Sequence, residues 1–503
     1  MRSDAPSCCY RAGTCRALSH AHYHVILVVV EARRYVVKWW LPGNPTHAVG
    51  GVLEVDSESS RLRLELTDQL VADGRAAEPT SLIHGAANGR HITLIDSMPA
   101  NGGRTTIAQV VSTTQVVRPR VALIGVHLDE PDQPVFDGMQ ASLTGLTEWA
   151  EHSGLDFEQW IGNQQNNDRW RLTVRWTDPI TVELPDSPEQ LGLHWNISSS
   201  GPRATPSERT YRATERVVLK VEANSPLPWN GFLGRSRAVQ DLLTVALQTP
   251  SRPTEYKLLI NTGQPLPKPY EVDLFFMGIR PSSGEDDRRI DPLFTLDDVD
   301  FATVIHDWLP LRESIGLPLD VLLGLDYETG GYYQNRLFNA ASAAEGFHTA
   351  LFPNSTGLSP EEHASVVQQV TRSLFYFVKK HKDWALSRIK DNRPGLKDRL
   401  VELVTKADAE AVEALLTDVD TWAKWLKNAR NAIGHLNTGE LEKKVPIEDA
   451  RYRLEYVTRA LLHLIILAEL GLPAALQRQV VNDHWEYSAE KFGEAIKASQ
   501  AKQ

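Results

Sequence analysis

The stretch Asn428-Ala429-Arg430-Asn431-Ala432-Ile433-Gly434-His435-Leu436-Asn437 ends a helix and places two chemically useful cations there. Upstream, Val419, Trp422, Trp425, Leu426 and Ala429 recur at helical spacing, so a helix is expected from Asp418 to Ile433. A polar loop should follow, and then a second apolar helix from about Ile447 to Leu470. Arg430 is always charged, whereas the His435 imidazole titrates near neutral pH. On an unbroken helix, five residues turn about 140° beyond a full circle, so the two would not share a face. Gly434 is expected to take the left-handed conformation that ends helices, letting His435 swing back toward Arg430. Such a pair suits cleavage of a phosphodiester: the histidine moves protons and the arginine holds the charge developing on phosphate oxygens. The plain alternative is an ordinary helix end, where cations sit favourably against the dipole.

Working outward, everything beyond a loop-rich segment from Pro281 to Asp298 reads as helical. One helix is expected over Asn335–Phe352. Ser359-Pro360-Glu361-Glu362 starts the next with a capping box and a proline in the first turn. Its apolar stripe runs Val366, Val367, Val370, Leu374, Phe377, Val378 and on to Trp384 and Ile389. Shorter helices near Leu396–Val404 and Ala409–Leu416 complete a bundle of four to six antiparallel helices. Glu345 and His348, three apart on the first of these helices, share a face. A di-metal carboxylate site would need a second Glu-x-x-His and further glutamates, so no metal is assigned. The two are instead expected near Arg430 and His435, orienting them, or else to form a satisfied pair of their own.

From Tyr35 to Arg280 the chain reads as β-rich. Leu62, Leu64 and Leu66 alternate with Arg61, Arg63 and Glu65, and Trp170, Leu172, Val174 and Trp176 alternate with Arg169, Arg171 and Arg175. Further strands are expected at His91–Ile95, Gln115–Val126, Arg216–Val221 and Val272–Ile279. Turn signals such as Asn88-Gly89 and Asp137-Gly138 separate them, and one short helix, Ala238–Gln248, interrupts them. An antiparallel sandwich or barrel is the expected result. The fold class is thus α+β and multidomain, a β-rich N-terminal domain over residues 34–293 followed by an all-α bundle over 294–503. His84, His91 and Asp96 are assigned strand and turn roles, because His91 and Asp96 face opposite sides of a strand.

The 503 residues are enough for two or three domains with full cores. With 23% charged and 42% hydrophobic residues the composition is that of an ordinary globular protein. A net charge of −11 excludes a general nucleic-acid-coating protein, but not an enzyme with a locally positive site. The region from Lys424 to Arg459 carries such a patch, with Lys427, Lys443 and Lys444 as candidate RNA contacts. All three cysteines, Cys8, Cys9 and Cys15, precede residue 16, so no disulfide framework or zinc cluster spans the body, and a cytoplasmic location is expected. Val25–Val30 is too short for a membrane span, and Leu461–Leu472 contains His463 and Glu469 and reads as a buried helix. Residues 1–33 are expected to be a disordered extension or a mis-called start.

The R-N-x-x-x-H arrangement at Arg430, Asn431 and His435 resembles the active-site motif of the HEPN superfamily of ribonucleases. Trp39-Trp40-Leu41-Pro42-Gly43-Asn44-Pro45 and Val49-Gly50-Gly51-Val52-Leu53, with Ile83-His84-Gly85 and His91–Asp96, resemble the N-terminal domain of ApeA-like anti-phage proteins. Those proteins join a β-rich N-terminal domain to a C-terminal HEPN domain in this same order. The resemblance implies a metal-independent, cofactor-free endoribonuclease of abortive infection but not which RNA it cuts, for which transfer RNA is taken as the first candidate. It implies catalysis by Arg430, Asn431 and His435, dimerisation through the helical domain, and a sensing N-terminal domain, for which a phage-derived trigger is the candidate. The alternative is a non-catalytic HEPN module that dimerises or binds nucleotide while the β domain recognises a ligand.

Overall fold

The computed structural model describes residues 33–56, 61–70, 78–87, 89–107, 110–160, 169–184, 187–204, 209–262, 269–276, 290–328 and 330–501. The expected extension over 1–33 lies outside them except for Arg33, as do Cys8, Cys9, Cys15 and the first half of Pro281–Asp298.

Six strands close into a barrel: β1 (Arg33–Trp40), β2 (Val49–Asp56), β3 (Arg61–Leu66), β4 (Thr80–Ala87), β5 (Arg90–Ile107) and β6 (Val110–Arg118). Their order is β5-β4-β1-β2-β3-β6, and β6 pairs back onto β5, so the ring has no free edge. The period-two pattern dictates what fills it: Leu62, Leu64 and Leu66 are buried while Arg61, Arg63 and Glu65 are exposed. Trp39 stands at the centre, wholly buried among Leu53, Leu64, Ile83, Ile92 and Leu94. A Cβ at Gly85 would stand 2.6 Å from the Trp39 ring, so a glycine is required there.

Beyond β5 the sheet continues outward through β7 (Val121–Ile124), β8 (Phe136–Leu143), β11 (Ile180–Glu183), β12 (Glu189–Ala204), β13 (Arg209–Leu227), β14 (Pro253–Ile260) and β15 (Tyr270–Phe276), in the order β7-β15-β14-β8-β13-β12-β11. β9 (Leu155–Trp160) and β10 (Arg169–Val174) form a separate hairpin. The single strand expected over Gln115–Val126 is two, split at Pro119, which has no N–H to give a ladder. Helices α1 (Leu146–Ala150) and α2 (Leu233–Leu247) cover the extended sheet, α2 starting five residues before the expected Ala238.

The helical part comprises α3 (Phe301–Ile315), α4 (Leu317–Tyr327), α5 (Tyr333–Leu351), α6 (Pro360–Ser373), α7 (Lys379–Ile389), α8 (Leu396–Leu403), α9 (Ala409–Leu416), α10 (Val419–Gly434), α11 (Thr438–Lys444), α12 (Glu448–Glu469), α13 (Ala474–Val480) and α14 (Glu486–Gln500). α5 runs through its middle. Ala340, Ala341, Ala343 and Ala344 on its buried faces let neighbouring helices approach closely. α10 lies against α5 and buries Trp422, Trp425, Leu426 and Ala429 on its apolar face, Trp422 Nε1 donating to Thr458 of α12 at 3.0 Å and Trp425 meeting Phe492 of α14 edge to face. Each of the three large side chains contributes about 2 kcal/mol. Asp418 caps its N-terminus by accepting from the Asp420 and Thr421 amides.

One hydrophobic core runs from the extended sheet into the bundle. At the junction, fully buried Asp241 of α2 accepts from Arg312 of α3 at 3.0 and 2.7 Å, and from the Tyr327 hydroxyl of α4 at 3.1 Å.

The stripe from Val366 to Ile389 differs from expectation. The capping box at Ser359 forms, but the helix ends at Ser373, a turn follows, and α7 begins at Lys379. No residue of α6 or α7 is buried. The periodicity marks an amphipathic hairpin whose apolar residues are left at the surface.

Candidate functional site

α10 continues helically through Gly434, and the left-handed step expected there falls at Leu436, with φ 53°. The end is a Schellman turn. The Asn437 amide donates to Ala432 O at 2.8 Å and the Leu436 amide to Ile433 O at 2.9 Å, satisfying carbonyls that a helix end leaves free. Gly434 has a packing reason instead: a Cβ there would lie 3.3 Å from the Phe338 ring of α5. The Asn437 side chain then caps α11, so the expected polar loop is three residues followed by a short helix.

This corrects the placement of His435. With the helix unbroken through Gly434, the backbone positions of Arg430 and His435 stay about 140° apart around the axis. Asn431 and His435, four residues apart, share a face, and both Gly434 and His435 are exposed. Arg430 lies toward α5, and Asn431 joins the two faces, its Oδ1 accepting from Arg430 Nη1 at 3.5 Å.

Arg430 is held by Glu345. Its Nη2 donates to Glu345 Oε2 at 3.2 Å, while Glu345 Oε1 accepts from Arg399 Nη2 of α8 at 2.8 Å. The carboxylate therefore bridges two guanidiniums from two helices, and Arg399 is the most buried of the three. His348, one turn along α5, turns elsewhere. Its Nε2 lies 2.8 Å from Glu402 Oε2, to which the Ser355 hydroxyl also donates at 2.5 Å, and its ring stacks on Phe352. The Ser355 hydroxyl, then His348, hold the Glu402 carboxyl below its ordinary range. Glu345 and His348 thus make two parallel polar rungs between α5 and α8, of which only the Glu345 rung reaches Arg430.

The candidate RNA contacts are dispersed. Lys427 is half-buried on α10, Lys443 is exposed on α11, and Lys444 is paired with Glu440 at 2.9 Å. Among the described residues, no three His, Cys, Asp or Glu side chains converge as a metal would require, and no helix is long and apolar enough to cross a membrane. Sequence reading missed Arg399. Its partner is 54 residues away, and nothing local sets it apart from other surface arginines.

The family model ApeA N-terminal domain 1 matches residues 34–308, and the family model Apea-like HEPN matches residues 338–476. The first covers more than half of the 503 residues, and the second contains α10, α11 and the Glu345 bridge. No curated protein and no solved structure matches the chain.

Proposed function

The chain belongs to the ApeA-like family, a β-rich N-terminal part followed by a HEPN domain, and from that premise we propose that it is a metal-independent endoribonuclease of anti-phage defence. The observation that carries this reading is the Arg399–Glu345–Arg430 bridge, which holds a partly exposed Arg430 on the same helix whose capped end carries the exposed His435. Arg430 is fixed by a carboxylate yet keeps about a third of its side chain exposed, enough to meet a phosphate.

In this reading the 2′-OH of RNA attacks the adjacent phosphorus. His435 takes the 2′-OH proton or protonates the leaving 5′-oxygen. Arg430 stabilises the phosphorane charge, and Asn431, on the same face as His435, binds the phosphate or orients the imidazole. The P–O2′ bond forms and the P–O5′ bond breaks, giving a 2′,3′-cyclic phosphate and a 5′-OH. DNA, which has no 2′-OH, is not cut.

One copy offers one imidazole for two proton transfers, and holds it about 140° around the helix from Arg430. A composite site across a two-fold dimer, with the α10 ends facing, supplies a second histidine. The N-terminal part senses a phage-derived trigger, and cleavage arrests the infected cell in the cytoplasm. The test is to map 5′-OH RNA ends in phage-challenged cells carrying the native chain or His435→Ala. Ends that depend on His435 are expected. Identical profiles, with protection retained by both, would leave a non-catalytic binding module.

A further inference from the structure

The α6–α7 hairpin stands out on two independent counts. Its rings are outside: Phe375 is 73% exposed, Tyr376 94%, Phe377 54% and Trp384 64%. Large aromatic side chains at such exposure, four within ten residues, are a patch rather than scatter. Its charge is also opposite to that of the whole. Across 360–390, Arg372, Lys379, Lys380, Lys382, Arg388 and Lys390 stand against Glu361, Glu362 and Asp383, a net +3 (six minus three) on a chain of −11, and five of the six cations lie at 379–390 beside the exposed rings. Such segregation creates a local field attractive to a polyanion.

The geometry narrows the partner. The aliphatic residues of α7, Leu386 and Ile389, are half-buried, and His363 of α6 bonds to Ile389 O at 2.7 Å. What faces outward is chiefly aromatic and cationic, with Val366 and Val378 beside the rings, and rings flanked by lysines are the chemistry of base stacking and phosphate contact. A second copy is disfavoured, because a two-fold contact would set +3 against +3. At the hairpin base a groove of about 930 Å³ runs along α8, the helix that carries Arg399; its Arg388, Arg393 and Lys397 are matched by Asp391, Asp398, Glu402 and Asp420, so the cationic surface is the outer face of the hairpin rather than this groove.

We propose that the α6–α7 hairpin is a binding surface for single-stranded RNA, its exposed rings stacking on bases and its lysines contacting phosphates. This rests on the ribonuclease reading and gives that enzyme a substrate-holding arm apart from Arg430 and His435. Because rings stack on any base, the arm favours unpaired RNA over duplex without a sequence preference.

The test uses the full chain carrying His435→Ala, so that RNA stays intact, and a fluorescein-labelled oligouridylate of about 16 nucleotides. Tyr376→Ala with Trp384→Ala should weaken binding at least about tenfold. Lys379→Glu with Lys380→Glu should weaken it and flatten its salt dependence. Circular dichroism should be unchanged, since these side chains are exposed. In parallel, both pairs of changes in the chain retaining His435 should slow RNA cleavage at sub-saturating RNA. If the chain retaining His435 never cuts RNA but the hairpin changes still abolish binding, the ribonuclease reading fails and this one stands. Unaltered RNA affinity in both variants overturns this inference whatever the cleavage result. It is equally overturned if the changes abolish only binding to phosphatidylserine vesicles, or only self-association in sedimentation.

Discussion

Replacing Glu345 by glutamine tests whether a carboxylate fixes Arg430. Glu345 lies 2.8 Å from Arg399 and 3.2 Å from Arg430, with side-chain exposures of 26%, 13% and 37% respectively. At about 4 Å and an effective dielectric near 20, each pair has about 4 kcal/mol of Coulomb attraction before desolvation. Solvent screening leaves the more exposed Arg430 arm below about 1 kcal/mol, and the Arg399 arm at about 1–2 kcal/mol. Glutamine keeps the shape but offers one carbonyl oxygen, so it serves one guanidinium and sets its amide against the other. The expected loss is about 1–3 kcal/mol, read from the urea midpoint by tryptophan fluorescence. Arg430 is then free to drift, and a displacement of about 1 Å lowers single-turnover cleavage of RNA about 100-fold. In combination with Arg399→Leu the stability losses should fall short of additive by about 1 kcal/mol, because both changes remove the same contact. Native-like cleavage despite the stability loss would refute the positioning argument. An unmoved midpoint, or strict additivity, would refute the ion-pair argument.

Leu436→Gly should stabilise the chain by about 0.5–1 kcal/mol in urea unfolding, since leucine at φ 53° is strained and its side chain, 92% exposed, has little packing to lose. Gly434→Ala should change stability by less than about 1 kcal/mol, because Gly434 is helical and the half-buried Phe338 edge has only a few tenths of an ångström to give; a loss above about 2 kcal/mol in the same assay would contradict that conformation. Asp326→Asn should cost about 3–5 kcal/mol at neutral pH, leaving Arg459 and His463 without the carboxylate 2.6 and 3.0 Å away. Burial raises the Asp326 pKa, but His463 and Arg459 outweigh it and the net direction is down. The native advantage should therefore be full above the unfolded value near pH 4 and vanish as pH falls through the lower folded value, which paired acid titrations would measure.

Local chemistry wrote much of this fold into the sequence. The apolar repeat from Val419 to Ala429 and the cap at Asp418 define α10, and the arginine–leucine alternation at 61–66 defines a strand inside a barrel wall. Barrel closure was not legible. It depends on β5 pairing back onto β6, with a register shift between Pro99 and Asn101 that no local pattern announces. The turn at Leu436 was hidden because propensity points to the neighbouring glycine, whereas Gly434 answers to Phe338, a tertiary neighbour. The same blindness applies to α6 and α7. Periodicity reveals an amphipathic face but not what covers it, so rings expected in a core stand in solvent.

The two halves meet along α3 and α4, and α4 engages both at once. On α4, Tyr327 faces the β-rich side, where its hydroxyl bonds Asp241 of α2, and adjacent Asp326 faces the bundle, where it engages Arg459 and His463 of α12. Arg459 also pairs with Glu455, which pairs with Arg336 of α5, the helix that carries Glu345. Each link is a buried or half-buried charge whose loss would strand its partner, so α4 cannot shift against one half without straining the other. The boundary between the matched regions, residues 308 and 338, encloses α4 and the start of α5. That intervening segment is therefore a structural coupling rather than a linker. Packed and paired groups thus run without a break from α2 to α5, the helix that carries Glu345.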